Sequence, residues 1–236
     1  KRRAGKATVT TEPGNAPLPC VSGLPSNPHS RRMATAPLFL ATGNPHKVEE
    51  VLAILRLAGL TIPLRPAGDL GTLPDVAETA GTYEGNARLK AEAVRPLLPS
   101  GALVFADDSG LEVDALDGAP GVHSARYAGP GADAADNNAR LLDALSGVSP
   151  ADRTARFRCC CFLLGDGVEA AFFGRCEGRI LEGPRGEGGF GYDPLFQPHG
   201  HAETFAQMPA SAKHAISHRG RAVVAMARYV TFALAH

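Results

Sequence analysis

The strongest constraint on the fold is a pair of long strand-like runs separated by an Asp-Gly dipeptide. The first run is TARFRCCCFLLG (154–165) and the second is VEAAFFGRCEGRI (168–180). Asp-Gly supports the tight turns that join adjacent antiparallel strands. The sequence therefore predicts a β-hairpin made of two long strands.

Three consecutive cysteines lie inside the first of these runs. Because side chains alternate between the two faces of a strand, Cys160 should lie on the opposite face from Cys159 and Cys161. The chain has 5 cysteines, and none has the C-x-x-C spacing of a metal or redox site. We interpret them as small buried side chains in a reducing compartment, and we expect the protein to be cytoplasmic.

Strand-like and helix-like segments alternate through the chain from Leu38 onward. The predicted elements are strands at 37–42 and 102–106, helices at 46–59, about 82–98 and 132–147, and a closing helix whose apolar face runs from Val223 to Leu234. Strands that alternate with helices, together with a hairpin, indicate an α/β fold with a mixed sheet.

Residues 1–36 differ in composition from the rest of the chain. They are rich in Pro, Gly, Ser and basic residues and lack apolar periodicity, so we predict a disordered extension. A basic arm with a function of its own is the alternative. Residues 37–236 are predicted to form a single domain, and 44% hydrophobic residues suffice for a substantial core.

The charge balance argues against binding driven by an overall electric field. Lys and Arg together number 24, as do Asp and Glu, so we expect no nucleic-acid partner and no anionic membrane partner. The sequence has no apolar stretch of transmembrane length and no apolar core of a secretion signal. Any anionic ligand must therefore be bound by a local arrangement of residues.

The hexapeptide TGNPHK, residues 42–47, lies between the first strand and the first helix. A turn at this place presents backbone N–H groups and the positive end of the helix dipole, and Lys47 adds a full charge. Phosphate binding and simple capping of the helix both fit this pattern. The hexapeptide is not a P-loop, which requires G-x-x-x-x-G-K-[ST].

The second predicted helix and the loop before it carry Glu78, Asn86 and Lys90. Asn86 and Lys90 are four residues apart and therefore share one face of the helix. Either that face is solvated, or it lines a cleft in which both side chains bind an anion.

Two adjacent carboxylates, Asp107 and Asp108, follow a buried strand. We expect both at the carboxyl end of that strand, the usual location of sites in open α/β sheets, with their side chains on opposite faces. Mg²⁺ binds one or two carboxylates together with water and substrate phosphates, so a magnesium site is one interpretation. A solvated acidic turn is the other, and Ser109 fits both.

The segment GEGGFGYDPLF (186–196) intersperses aromatic residues among glycines. The glycines would let the backbone approach a ligand closely, and Phe190 and Tyr192 could offer their ring faces to a planar ligand. A glycine-rich hairpin with core aromatics is the alternative.

The segment SAKHAISHRGRA (211–222) places a His-Arg pair near the start of the closing helix. Positive charge there opposes the helix dipole, which favours a ligand-binding role.

Taken together, these segments resemble one family, the inosine triphosphate pyrophosphatases, also called XTP/dITP diphosphatases. The resemblance covers about residues 38–234 and runs, in order, through TGNPHK, ETAGTYEGNA, ADDSGLEVDALDGAPGVHSARYAG, GEGGFGYDPLF and FAQMPASAKHAISHRGRA. It implies a long mixed central sheet with two α/β lobes flanking a substrate cleft. The implied activity is Mg²⁺-dependent hydrolysis of ITP, dITP and XTP to the monophosphate and pyrophosphate by a homodimer.

The resemblance also implies roles for individual residues. Asp108 would be the catalytic carboxylate and a metal ligand, and Glu78 a second metal ligand. The implied substrate-binding residues are Thr42, Gly43, Asn44, Pro45, His46, Lys47, Asn86, Lys90, Ser109, Phe190, Gly191, Tyr192, Asp193, Lys213, His218 and Arg219. The family often has Glu where this chain has Gly85, and Tyr where it has His123, but neither change touches the implied metal carboxylates.

Two other functions remain open at this point. A related Maf-like pyrophosphatase would act on modified pyrimidine nucleotides and would differ in its base pocket. A noncatalytic regulator would bind a nucleotide without releasing pyrophosphate.

Overall fold

A mixed sheet of seven strands lies at the centre of the computed structural model, which describes residues 8–11 and 37–233. The strands are β1 (Thr8–Thr11), β2 (Leu38–Leu40), β3 (Leu64–Pro66), β4 (Leu103–Val113), β5 (Thr154–Gly165), β6 (Val168–Ile180) and β7 (Phe196–Pro198). The α-helices are α1 (Pro45–Leu57), α2 (Tyr83–Val94), α3 (Ala134–Ala144), α4 (Ala210–Ile216) and α5 (His218–Arg228). These elements confirm the predicted α/β fold with a mixed sheet.

The strand order is β1, β6, β5, β4, β2, β3, and β7 also pairs with β6. Strand β2 is parallel to both β3 and β4, whereas β5 is antiparallel to both β4 and β6. The pair β5 and β6 is the predicted hairpin, which closes where Gly165 pairs with Val168. Gly167 in its turn has a φ of 79°, a conformation that glycine adopts without strain.

Apolar side chains cover both faces of the sheet. Helices α1 and α5 pack on the face that carries Phe105, Cys159 and Cys161, and α2 packs on the face that carries Val104 and Cys160. The predicted alternation of the three cysteines is therefore confirmed. The four cysteines in the described part of the chain are unpaired and buried.

Strand β4 is longer than predicted, and this changes the place of the two aspartates. It continues to Val113, so Asp107 and Asp108 lie within the strand rather than at its carboxyl end. The reason is tertiary pairing: β2 accompanies β4 only as far as Phe105, whereas β5 pairs with it from Val104 to Val113. The interpretation as a solvated acidic turn is therefore wrong, and the aspartates lie just beyond the point where β2 ends.

The helices begin and end near their predicted positions. The Thr82 side chain caps α2, and a 3-10 turn at Arg95–Leu97 replaces its predicted last turn, because Pro96 has no N–H to continue the helix. Helix α5 passes into a π-helix at Tyr229–Ala233, and Leu234, predicted on its apolar face, lies outside the described residues. Within residues 8–11 and 37–233, no helix is long and apolar enough to cross a membrane.

Within residues 1–36, the structure describes Thr8–Thr11 alone. These four residues form a strand parallel to β6, with Thr8 opposite Glu169. Threonine and valine favour strands because their branched side chains fit a pleated surface. At these residues the structure differs from the predicted disordered extension, and the rest of that prediction falls outside the described residues.

Candidate active site

On the sheet face covered by α1 and α5, Asp107 is the centre of a buried ion-pair network. Its carboxylate accepts hydrogen bonds from Lys47 Nζ and from Arg219 Nε, each at 3.0 Å. Arg219 also donates to Glu50 Oε2 at 2.6 Å and to Ser109 Oγ at 3.1 Å. We call these five residues the Asp107 network. The positive charge of Arg219, near the start of α5, is therefore balanced by other residues of the protein.

The charges of this network keep Asp107 ionised. Burial alone would raise the pKa of Asp107, but the positive charges of Lys47 and Arg219 outweigh it and hold the pKa well below its ordinary value. Both Asp107 and Arg219 have side chains only 1% exposed. A fully paired, buried carboxylate of this kind is suited to hold other groups in place rather than to exchange protons.

Glu50 belongs to this network but is not among the predicted site residues. The sequence does contain a signal for it, because Glu50 lies in the buried stripe of α1 together with Val51, Ile54 and Leu55. An acidic residue within an apolar helix face predicts a buried ion pair, since an unpaired buried charge is costly.

On the opposite face of the sheet, α2 brings two predicted site residues to Asp108. Lys90 Nζ lies 2.8 Å from Asp108 Oδ1 and 2.6 Å from Glu78 Oε1. Asn86 Nδ2 donates to Asp108 Oδ2 at 3.3 Å. We call Glu78, Asn86, Lys90 and Asp108 the Asp108 cluster. The alternative in which this face of α2 is simply solvated is therefore wrong.

The groups of the Asp108 cluster differ in their affinity for protons. Burial raises the pKa of Asp108 above its ordinary value in spite of the nearby Lys90 charge. Burial also acts to raise the pKa of Glu78, but Lys90 and Arg126 outweigh it and the net shift is downward. Burial acts to lower the pKa of Lys90, and the two carboxylates reverse this and raise it. Burial thus shifts Asp108 toward its protonated form, whereas the cations around Glu78 shift that carboxylate toward its ionised form.

Arg126 holds the loop that carries Glu78 and is absent from the predicted site residues. It donates to Glu78 Oε2 at 3.1 Å and to the Glu78 backbone oxygen at 3.2 Å. It ends the 3-10 segment Gly121–Arg126, 48 residues after Glu78. Arg126 and Glu78 meet only in the folded chain. In the sequence, Arg126 is simply an arginine that follows the acidic segment, so no local pattern marks it as a site residue.

The turn Thr42–Lys47 caps α1. The Asn44 side chain accepts a hydrogen bond from the His46 N–H at 2.9 Å, and Thr42 Oγ1 accepts one from the Asn44 N–H at 3.1 Å. The four middle residues of the turn are exposed, and Lys47 extends from it to the Asp107 network. The capping role is confirmed, and phosphate binding stays a prediction.

The glycine-rich loop after β6 presents one aromatic ring beside two cations. The Phe190 side chain is 51% exposed, and its ring centre lies 4.7 Å from Lys213 Nζ and 5.4 Å from Arg219 Cζ. Asp193 accepts hydrogen bonds from the Phe190 N–H at 2.7 Å and from Lys213 Nζ at 2.6 Å. Gly191, with a φ of 60°, makes the bend within the loop.

Two residues predicted near this loop are instead buried in the core. Tyr192 donates its hydroxyl to the Ser124 backbone oxygen at 2.8 Å and packs among apolar side chains, so the prediction that it offers a ring face to a ligand is wrong. His218 stacks on Phe157 with ring centres 4.7 Å apart. Burial, with help from the Arg219 charge, holds the pKa of His218 well below its ordinary value, which favours the neutral imidazole.

The predicted charged residues on β4, α1, α2 and α5 therefore form two adjoining halves of one site, from which Tyr192 and His218 are absent. The Asp107 network and the Asp108 cluster meet at consecutive positions of β4, and Arg219 links the first of them to Phe190. Residues from five separate segments converge at this part of the sheet. The arrangement combines ionised carboxylates, lysines and an exposed ring, which is the chemistry needed to bind a phosphorylated planar molecule.

The carboxylates Glu78 and Asp108 fit a Mg²⁺ ion. They already share one cationic group, Lys90 Nζ, at 2.6 and 2.8 Å. In the part of the chain that the structure describes, no group of three or more His, Cys, Asp or Glu could hold a metal. Since Mg²⁺ typically takes one or two carboxylates and completes its shell with water and phosphate oxygens, two carboxylates are sufficient.

Comparisons with known proteins agree with this chemistry. Residues 38–229 match the Ham1 family. A dITP/XTP pyrophosphatase of Opitutus terrae is 47% identical over 198 residues, which covers 81% of this chain and 97% of that protein. A dITP/XTP pyrophosphatase of Porphyromonas gingivalis is 48% identical over 190 residues, with 79% and 93% covered.

Solved structures give the same result. A HAM1 protein from Coxiella burnetii superposes with a TM-score of 0.74 at 37% identity, covering 83% of this chain and 98% of that one. The Staphylococcus aureus Ham1 protein superposes with a TM-score of 0.72 at 36% identity, covering 82% and 97%. The family resemblance predicted from the sequence is confirmed, and this chain belongs to the Ham1 family.

Proposed function

We propose that the protein is a Mg²⁺-dependent pyrophosphohydrolase that converts ITP, dITP and XTP to the monophosphate and pyrophosphate. The observation that carries the proposal is the Asp108 cluster, in which Lys90 Nζ bridges two carboxylates that fit Mg²⁺. The relatives named dITP/XTP pyrophosphatase support the choice of substrate.

Binding of the triphosphate depends on local positive charge. A nucleoside triphosphate carries about four negative charges at neutral pH, whereas the chain has a formal net charge of zero. The N-terminus of α1 and Lys47 would bind phosphate oxygens on one side, and Lys90 would bind them on the other. For this, Lys90 exchanges its carboxylate partners for the substrate phosphates.

The metal would be held by Glu78 and Asp108. When bound, Mg²⁺ supplies charge stabilisation for the phosphate oxygens as the pyrophosphate leaves. Lys90 would then give up its place between the carboxylates without leaving them unneutralised. Each carboxylate of the Asp108 cluster would thus have a positive partner both before and after the substrate enters.

Asp108 is the proposed general base. Water attacks the phosphorus of the α-phosphate and transfers a proton to the Asp108 carboxylate, while the bond between the α- and β-phosphates breaks and pyrophosphate departs with the bonding electron pair. Asp108 suits this role because its carboxylate lies beside Glu78 and Lys90, where the phosphates and Mg²⁺ are proposed to bind. Asp107 stays ionised and holds Lys47 and Arg219 in place.

The loop at Phe190 would bind the base. Its exposed ring can stack on a purine, and Lys213 Nζ, 4.7 Å from the ring centre, supplies a hydrogen-bond donor beside it. Hypoxanthine and xanthine carry a carbonyl at position six, which accepts from such donors, whereas adenine carries an amino group. Each buried hydrogen bond left unmade costs about 1–3 kcal/mol, which disfavours ATP.

The experiment that tests the proposal is pyrophosphate release from dITP with Mg²⁺. Wild-type protein should release pyrophosphate, and Asp108→Asn should be slower by at least about 100-fold, since general bases typically contribute that much. Asp143→Asn is the matched control, because its side chain is 76% exposed in α3 and should leave the rate unchanged.

Other outcomes would redirect the assignment. Full activity of Asp108→Asn would refute its role as the base. Faster turnover of dUTP, dTTP or a modified pyrimidine triphosphate would favour a Maf-like pyrophosphatase. No release by the wild-type protein, with dITP still bound, would favour a noncatalytic regulator.

We further propose that the protein is a cytoplasmic homodimer. The family resemblance supports the dimer, and the buried, unpaired cysteines fit a reducing compartment. Light scattering after size exclusion should give about twice the 24.5 kDa chain mass. A mass equal to one chain would contradict the dimer.

A further inference from the structure

The loop that carries Glu78 lies against α2 through a close contact between Ala80 and Gly85. A Cβ atom added to Gly85 would lie 2.5 Å from the Ala80 Cβ and 3.0 Å from Thr82 Oγ1. Carbon atoms in contact normally lie about 3.5–4.0 Å apart. A side chain at position 85 would therefore have to displace Ala80, and the Ala80 Cβ can move only with its backbone.

The backbone conformation at position 85 does not itself call for glycine. Gly85 lies in the first turn of α2, where its N–H donates to Thr82 Oγ1 at 3.1 Å, and it is not among the glycines with positive φ. Alanine is intrinsically favoured over glycine within a helix. In this chain, the close approach of Ala80 is thus the feature that leaves no room for a side chain at position 85, including the Glu that the family often has there.

Ala80 is connected to both proposed metal carboxylates. It lies two residues after Glu78 in the same loop, and its N–H donates to Asn86 Oδ1 at 3.0 Å. Asn86 in turn donates from Nδ2 to Asp108 Oδ2 at 3.3 Å. Displacing Ala80 would move the Glu78 loop and release the side chain that orients Asp108.

We propose that Gly85 is a positioning residue for the metal site. By leaving room for Ala80 against α2, it fixes the loop position of Glu78 and, through Asn86, the orientation of Asp108. This inference rests on the proposed function of Glu78 and Asp108 as metal ligands. It adds a residue that touches neither metal nor substrate and acts only through the packing of the loop.

The test uses Mn²⁺, a spectroscopic substitute for Mg²⁺. Electron paramagnetic resonance measures how tightly the full chain binds Mn²⁺ in the absence of nucleotide. Gly85→Ala should weaken Mn²⁺ binding about tenfold, the lower end of the usual effect of losing a group that orients metal ligands. The double variant Ala80→Gly/Gly85→Ala removes the clash and should restore wild-type binding. Glu92→Ala, at an exposed position of the same helix, is the control and should change nothing.

Each outcome bears on a different part of the inference. If Glu78→Gln weakens Mn²⁺ binding but Gly85→Ala does not, the positioning role is refuted and the proposed metal site stands. If Glu78→Gln binds Mn²⁺ like the wild type, the metal site itself is refuted. Failure of the double variant to recover would refute the role of the Ala80 contact.

A loop-side variant keeps the inference testable if Gly85→Ala does not fold. Ala80→Val pushes the loop away from α2 while the helix sequence stays the same, and thermal unfolding shows whether it is folded. We expect the same loss of Mn²⁺ binding. A folded Ala80→Val protein with wild-type Mn²⁺ affinity would refute the inference.

Discussion

Replacing Asp107 with Asn should destabilise the protein by about 3 kcal/mol. Its carboxylate is 1% exposed and pairs with Lys47 and Arg219, and removing one partner of a buried ion pair costs about 3–5 kcal/mol. We expect the lower end because Arg219 keeps Glu50 and Ser109 as partners. For a chain of this size, about 3 kcal/mol corresponds to a lowering of Tm by about 6–12 °C.

The same substitution at the next residue should have a different effect. Burial raises the pKa of Asp108, so the fold disfavours its ionised form, and Lys90 keeps Glu78 as a partner when the charge is removed. Asp108→Asn should therefore change stability by no more than about 0.5 kcal/mol or increase it, although its activity is lost. The same substitution should therefore lower the stability of the fold at Asp107 and leave it unchanged or raise it at Asp108.

Urea unfolding at several pH values measures both effects. The folded-state pKa of Asp107 is lowered, so its contribution is fully present above the ordinary aspartate pKa and is lost as the pH falls through the lowered value. The difference between wild type and Asp107→Asn should therefore shrink in acid. The folded-state pKa of Asp108 is raised, so protonation of this group favours the folded state as the pH falls through that value. Equal losses of stability in the two variants at pH 7 would refute the assignment of different roles.

Two further predictions concern ligand binding. Lys90→Met should reduce dITP turnover by at least about 100-fold in steady-state kinetics, because it removes a donor to the phosphates, and a rate like that of wild type would contradict the role of Lys90. Phe190→Leu should raise the KM for dITP about tenfold with little change in Tm, because base stacking is worth about 1–3 kcal/mol and the ring is half exposed. An unchanged KM would rule out stacking on Phe190.

Local patterns in the sequence predicted those parts of the fold that depend on neighbouring residues. Alternation along a strand placed Cys160 opposite its neighbours and put Asp107 and Asp108 on different faces. The Asp-Gly turn predicted the hairpin, and four-residue spacing placed Asn86 and Lys90 on one face of α2. Each of these follows from backbone geometry alone.

Long-range pairing set the features that the sequence did not reveal. The length of β4 depends on β5, which begins more than 40 residues after β4 ends. The burial of Tyr192 depends on the distant Ser124 carbonyl, and the position of Arg126 depends on Glu78, so no local pattern predicts either. Such features require knowledge of which segments meet.

The two faces of β4 differ in how far along the chain the partners of their aspartates lie, and this separates the two halves of the site in the order of folding. In the Asp108 cluster, Lys90 and Asn86 lie 18 and 22 residues from Asp108. In the Asp107 network, Arg219 lies 112 residues from Asp107 and 169 from Glu50. Contacts of short sequence separation cost less loop-closure entropy. A nascent chain can therefore assemble the proposed metal side early, whereas the side that holds Lys47 is completed only when the last helix docks.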